Sequence, residues 1–142
     1  MITSILYGPE ALLRTFKPAA NTVLIAIRDA GRPPLSTNGV LCDELHLEFD
    51  DIEQGAGFGS EALFTPTQAK QVNDFLTRHM SSKTPVRLLV VCKYGVSRSA
   101  AISHWAGRRL RINPWGVADS GSGENANRHV LHLLRQAHAA EA

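Results

Sequence analysis

Leu88-Leu-Val-Val-Cys92-Lys-Tyr-Gly95-Val-Ser-Arg98-Ser-Ala-Ala101 is the stretch on which the fold turns. From Val86 to Val91 every residue but Arg87 is apolar, as expected of a central strand covered on both faces. Cys92 ends that run, and a short turn with Gly95 at its middle follows. Arg98-Ser99 then opens an alanine-rich segment with Ile102, Trp105 and Leu110 at packing positions, which predicts a helix over 98–110. Strand, tight turn and helix in this order form one unit of a parallel α/β sheet.

The flanking segments extend that pattern. Asn21 to Arg28 is a continuous apolar run with β-branched residues, a buried strand, broken by Gly31-Arg-Pro-Pro34. Leu45, Leu47 and Phe49 alternate with His46, Glu48 and Asp50, which predicts a half-buried strand. Thr65-Pro66-Thr67-Gln68 supplies an N-cap, a proline at the first helical position and a Gln that completes a capping box. Ala69, Val72, Phe75, Leu76 and Met80 continue at helical spacing over 66–81. Pro9 to Phe16 reads as a short helix, and Asn125 or Asn127 opens a last helix carrying Val130, Leu131 and Leu134. The expected fold is α/β: one domain over 1–142, with a largely parallel or mixed sheet of about four to five strands flanked by helices.

Composition narrows the function classes. The chain has 142 residues, 44% hydrophobic and 20% charged, enough for one core and neither disordered nor strongly polyelectrolyte. No apolar run approaches a membrane span, and Met1 to Gly8 does not resemble a secretory signal. Two cysteines, Cys42 and Cys92, are too few to staple a fold of this size, so a reducing, cytoplasmic setting is expected. The net charge of +2 hides an asymmetry. Residues 75–118 contain no Asp or Glu but include Arg78, Lys83, Arg87, Lys93, Arg98, Arg108, Arg109 and Arg111, which implies an anionic partner. No stacking aromatics or nucleic-acid motif accompany these bases, so nucleic acid is not expected.

The turn after Val91 is built for an anion. Its backbone N–H groups from Lys93 through Tyr94, Gly95, Val96 and Ser97 to Arg98 lack ladder partners and can form an inward-pointing nest. The helix start adds its own N–H groups and positive dipole end. Gly95 permits a conformation that a Cβ would oppose, and Arg98 offers a planar fork matching two phosphate oxygens. A cysteine in that field is expected to have a depressed pKa and to sit where a thiolate can attack phosphorus. Charge developing on the transferring phosphoryl group would meet the N–H ring and Arg98. Ser99 could donate to the Cys92 sulfur as it leaves.

Cys92-Lys-Tyr-Gly-Val-Ser-Arg-Ser99 resembles the Cys-x5-Arg-Ser/Thr signature of the protein tyrosine phosphatase superfamily, and its Ser-Arg-Ser-Ala-Ala continuation is most similar to the small dual-specificity branch. A rhodanese-type sulfur-transfer loop is the nearest chemical rival, but such loops are usually a residue shorter. The resemblance implies Cys92 as nucleophile, Arg98 as phosphate-binding residue and Ser99 as the hydroxyl that assists breakdown of the intermediate. It implies no metal and no organic cofactor. Val91 stands where the family usually has a histidine.

The family's general acid is an aspartate in a loop after the preceding strand, where this chain has Asp50 and Asp51. Strand alternation leaves Asp50 in the polar set and lets Asp51 leave the strand, so Asp51 is preferred over Asp50. Gly55, Gly57 and Gly59 would make the following loop a flexible lid. The expected activity is hydrolysis of a phosphate monoester through a phospho-cysteine, on a phosphorylated protein or a small ester. Lys93 leaves open an inositol phosphate or phosphoinositide substrate, and Val91 leaves open a non-catalytic phosphate-binding module. Cys42 is read as a small buried residue rather than a redox partner of Cys92. Trp105 and Trp115 are read as packing, and His129, His132 and His138 as no metal site.

Overall fold

The computed structural model describes residues 1–15, 17–37, 41–52 and 62–141. The lid expected at Gly55, Gly57 and Gly59 lies outside these residues. In chain order the elements are β1 (Ile2–Pro9), α1 (Leu12–Thr15), β2 (Thr22–Arg28), β3 (Asp43–Glu48), α2 (Pro66–Ser81), β4 (Val86–Cys92), α3 (Arg98–Leu110), β5 (Trp115–Gly116) and α4 (Arg128–Ala140). One five-stranded sheet runs in the order β3-β2-β4-β1-β5, and every neighbouring pair is parallel. The α/β architecture with helices flanking a parallel sheet is the one expected.

β4 lies at the centre because both of its faces are apolar. Leu88, Val90 and Cys92 join the core under α2, α3 and α4, with Val23, Ile25, Leu76, Ile102 and Leu134. Leu89 and Val91 face the opposite side, where Leu24, Ala26 and the α1 residue Leu13 complete a smaller cluster. Val91 is therefore a core residue on the α1 face, pointing away from the side on which Cys92 emerges. Each fully buried aliphatic side chain of this kind stabilises the fold by about 1.5–3 kcal/mol.

Two helix starts follow from their caps. Thr65 Oγ1 accepts the Gln68 N–H at 3.1 Å while Gln68 Oε1 accepts the Thr65 N–H at 3.0 Å, the reciprocal box expected from sequence. Asn127, rather than Asn125, caps α4 by accepting the Val130 N–H at 3.1 Å. A buried amide joins three helices: Asn73 accepts from Trp105 Nε1 at 2.8 Å and donates to the Leu134 carbonyl at 3.1 Å. This assigns Trp105 to the core. Trp115 instead lies on the edge strand and is 57% exposed, so packing is the wrong role for it.

The largest departure from the sequence reading is at the N-terminus. Ile2 to Gly8 is assigned no element from the sequence, yet β1 is interior, pairing with β4 along its length and with β5 at Leu6 and Tyr7. The helix expected over 9–16 contracts to the single turn of α1. Tyr7 is fully buried, and its hydroxyl donates to Asp119 at 2.7 and 2.8 Å, with His104 Nε2 at 3.1 Å. Asp119 also accepts the Gly121 and Gly123 N–H groups, pinning the loop after β5. Burial, then the hydrogen bond and charge of Asp119, push the Tyr7 phenol upward. Burial likewise lowers His104 below its ordinary 6.5, outweighing attraction to Asp119.

A histidine whose folded pKa lies below its unfolded value loses stability as pH falls, because the unfolded chain binds the proton more readily. Wild-type protein should therefore lose thermal stability relative to His104→Gln as pH drops below about 6.5. Melting temperatures of the two proteins across mildly acidic pH test this, and a constant difference would contradict it.

Candidate active site

β4 and α3 deliver Cys92 and Arg98 to the carboxyl edge of the sheet, where ligands bind in open α/β folds. Cys92 is buried at the strand end, and its carbonyl accepts the Glu10 N–H at 2.7 Å, tying the loop to the end of β1. Gly95 has φ +75, and a Cβ there would lie 2.2 Å from the backbone of Gly8 and Pro9. Only glycine combines that conformation with that approach. Gly95 thus lets the turn fold back against β1 and keep its curvature.

Within the loop, Cys92 Sγ lies 3.2 Å from Ser99 Oγ, and the Ser99 backbone N–H donates to the sulfur at 3.4 Å. Arg98 is 2% exposed. Its Nη1 donates to the Phe49 carbonyl at 2.7 Å and meets Asp29 Oδ1 at 2.8 Å. Its Nε is buried with no hydrogen-bond partner among the described residues. A buried guanidinium donor left unpaired costs about 1–3 kcal/mol, which an anion in the cradle would recover. Asp29 Oδ2 also faces Lys93 Nζ at 3.8 Å, and Lys93 rests over the ring of the exposed Tyr94. Val96 and Ser97 complete the turn.

The two candidate acids have different surroundings. Asp50 Oδ1 accepts the Ala30 N–H at 3.0 Å and Oδ2 accepts the Ala62 N–H at 2.9 Å, so both oxygens bind backbone. Asp51 faces the cradle instead: its Oδ1 accepts from Ser97 Oγ at 2.6 Å and from Asn127 Nδ2 at 2.9 Å. Asn127 is 2% exposed and also donates to the Ile52 carbonyl, while its own N–H donates to the Ser97 carbonyl. It links the start of α4 to both the Asp51 segment and the loop after β4. Sequence reading finds its cap and misses this bridge, because the Asp51 partner is 76 positions away.

One expectation needs correction. Cys42 is exposed rather than buried, with its Sγ donating to the Ala20 carbonyl. It lies beside Thr22, which is in register with Arg87, so Cys92 is five positions further along the sheet. That is about 16 Å along parallel strands, well beyond the ~7 Å Cα limit for a disulfide. A redox pair between them is excluded in this fold. Arg108, Arg109 and Arg111 sit at the far end of α3, about 15 Å or more from its start. Arg109 there donates to Asn73 and Thr77, not to the cradle. Arg78 is likewise committed, to Asp43.

His129 Nε2 lies 2.9 Å from the Phe64 carbonyl and His138 packs edge-on against Trp105. No cluster of three or more His, Cys, Asp or Glu side chains suited to a metal occurs among the described residues. Among them, too, no helix is long and apolar enough to cross a membrane.

Sheet order, helix placement and the βα loop together define a protein tyrosine phosphatase-like fold. The chain is similar in structure to the human tyrosine phosphatase-like serine/threonine/tyrosine-interacting protein, with a TM-score of 0.58 and 18% identity, covering 96% of this chain and 92% of that one. At that identity the likeness is one of fold. No family model matches the sequence, and no curated protein matches it.

Proposed function

We propose that this chain is a cysteine-dependent phosphate monoester hydrolase of the dual-specificity type, acting through a phospho-cysteine. The observation that carries this reading is the buried Arg98 with its unpaired Nε, set in the same turn as the Cys92–Ser99 contact. A buried guanidinium that keeps a spare donor beside a nucleophile suits an anionic electrophile, and a phosphate ester is one. The tyrosine phosphatase-like fold supports the reading.

In the first step the Cys92 thiolate forms the S–P bond as the ester P–O bond breaks, and Asp51 gives its proton to the leaving oxygen. The equatorial oxygens are held by the loop N–H groups and Arg98. In the second step water, losing a proton to Asp51, forms a P–O bond as the S–P bond breaks. Ser99 then donates to the departing thiolate. Inorganic phosphate leaves, and Cys92 and Asp51 return to their starting forms. Phosphorylated protein or a small phosphate ester is the substrate class, and the chemistry requires no metal.

A burst of p-nitrophenol from p-nitrophenyl phosphate, suppressed by orthovanadate, tests the reading. Saturable phosphate binding with no turnover would make the chain a phosphate-binding module instead.

The Asp51 role gives a second expectation. Asp51→Asn should lower kcat/KM for esters with poor leaving groups by about 100-fold, with a much smaller loss for p-nitrophenyl phosphate. Asp50→Asn should mainly lower the melting temperature, because it weakens two acceptors of backbone N–H groups. Rates measured over a series of substituted phenyl phosphates decide between them. Equal leaving-group dependence in Asp51→Asn and wild type would refute the assignment.

A further inference from the structure

A cavity of about 300 Å³ opens beside the phosphate cradle, between α1 and the segment that follows β2. Four cations line it, Arg14, Arg28, Arg32 and Lys93, against two carboxylates, Glu10 and Asp29. One of those carboxylates is already engaged, since Asp29 holds Arg98 and faces Lys93. Lys93 shares that carboxylate and Arg28 pairs with Glu48 outside the lining, so four cations against two carboxylates leave a modest formal excess of positive charge. Asp29 and Lys93 belong to both places: each touches the cradle machinery and each forms part of the cavity wall.

The local structure explains why the cavity persists. Arg28 Nε donates to the Arg32 carbonyl at 3.0 Å, and the Arg32 N–H donates to the Asp29 carbonyl at 3.1 Å, closing a turn at the end of β2. The guanidinium of Arg28 also meets Glu48 at 3.3 Å. Pro33 and Pro34, in the cavity wall, restrict the backbone that continues from this turn. The Arg32 side chain is exposed at the rim of this preformed concavity. A volume of this size is at the small end of sites for compact ligands.

We propose that this cavity is a second anion subsite, and that the substrate is a compact polyol bearing at least one phosphate besides the one hydrolysed, as in inositol polyphosphate chemistry. The inference rests on the phosphatase reading of Cys92 and Arg98 and deepens it. With the scissile phosphate in the cradle, Lys93, in the loop and in the cavity wall, would serve both anions, and Arg32 would meet the second from the rim. A long peptide would run across the surface, whereas adjacent phosphates on one small ring match a cavity that shares two residues with the cradle.

The test uses Cys92→Ser protein titrated calorimetrically with inositol monophosphate and with an inositol bisphosphate carrying adjacent phosphates. The bisphosphate should bind about tenfold more tightly or better, an extra gain of at least about 1.4 kcal/mol. In the Cys92→Ser, Arg32→Glu double variant that ratio should fall close to one. The same pair of headgroups presented on phosphatidylcholine vesicles, as phosphoinositides, separates a lipid source from a soluble one. Equal affinity for the two ligands in both formats, or a preference that survives Arg32→Glu, would overturn the subsite. A preference seen only with tyrosine-phosphorylated peptides flanked by acidic residues would overturn it in favour of a protein substrate. Turnover by the wild type is measured separately on both ligands. Its absence counts against the hydrolase reading, while the binding ratio alone decides the subsite.

Discussion

Replacing Cys92 with serine should abolish hydrolysis of p-nitrophenyl phosphate, lowering kcat by about 10⁴-fold or more, while the protein stays folded. The hydroxyl of serine is a far weaker nucleophile than a thiolate at neutral pH. The groups that touch Sγ, the Ser99 hydroxyl and N–H, are too weakly basic to take the proton of the introduced hydroxyl. Serine is slightly smaller and more polar, and Cys92 is 2% exposed at the strand end, so a modest loss of stability is expected. Binding of inorganic phosphate should persist, because the turn and Arg98 are untouched. Circular dichroism with steady-state rates checks the pair of outcomes. Activity within tenfold of wild type would place the chemistry elsewhere.

Arg98→Lys should cost about 1,000-fold in kcat/KM, although it keeps the positive charge. The guanidinium holds the Phe49 carbonyl and the Asp29 carboxylate, and its unpaired Nε is the donor proposed to meet the phosphate. A lysine ammonium is a point charge on a flexible stem and cannot span those directions from a buried position. Whichever partner it abandons is left buried and unsatisfied, so the melting temperature should drop as well. Loss of activity together with weakened phosphate binding is the expected signature, read from kinetics and phosphate titration. A variant with normal phosphate affinity would show that Nε does not face the ligand.

The elements legible in the sequence are those with a strong local signal. The capping box at Thr65 to Gln68 and the apolar spacing behind it mark α2 correctly, and the apolar run Val86 to Cys92 marks the central strand. β1 escapes a sequence reading because Thr3, Ser4 and Gly8 interrupt its apolar residues, and its place between β4 and β5 is a long-range fact. β5 has only two residues and owes its existence to pairing with Leu6 and Tyr7.

The site divides in the same way. Cys92, Gly95, Arg98 and Ser99 stand within one turn, so spacing alone suggests their meeting. Asp29 is invisible in the sequence as a partner of Arg98, because it reaches the loop only when β2 pairs with β4. The acid-free segment contributes Lys93 and Arg98 to the loop after β4, but its other cations lie elsewhere. Its arginines at 108, 109 and 111 are a helix length from the cradle, while Arg28 and Arg32, which line the neighbouring cavity, come from the acid-rich half.

The most direct test of the central claim is intact-protein mass spectrometry of a reaction quenched in acid during turnover of a phosphate ester. One phosphoryl group on the protein is the expected result, located at Cys92 by peptide mapping and absent from Cys92→Ser. Steady hydrolysis with no phosphoryl group on Cys92, or with one on another residue, would contradict a phospho-cysteine mechanism.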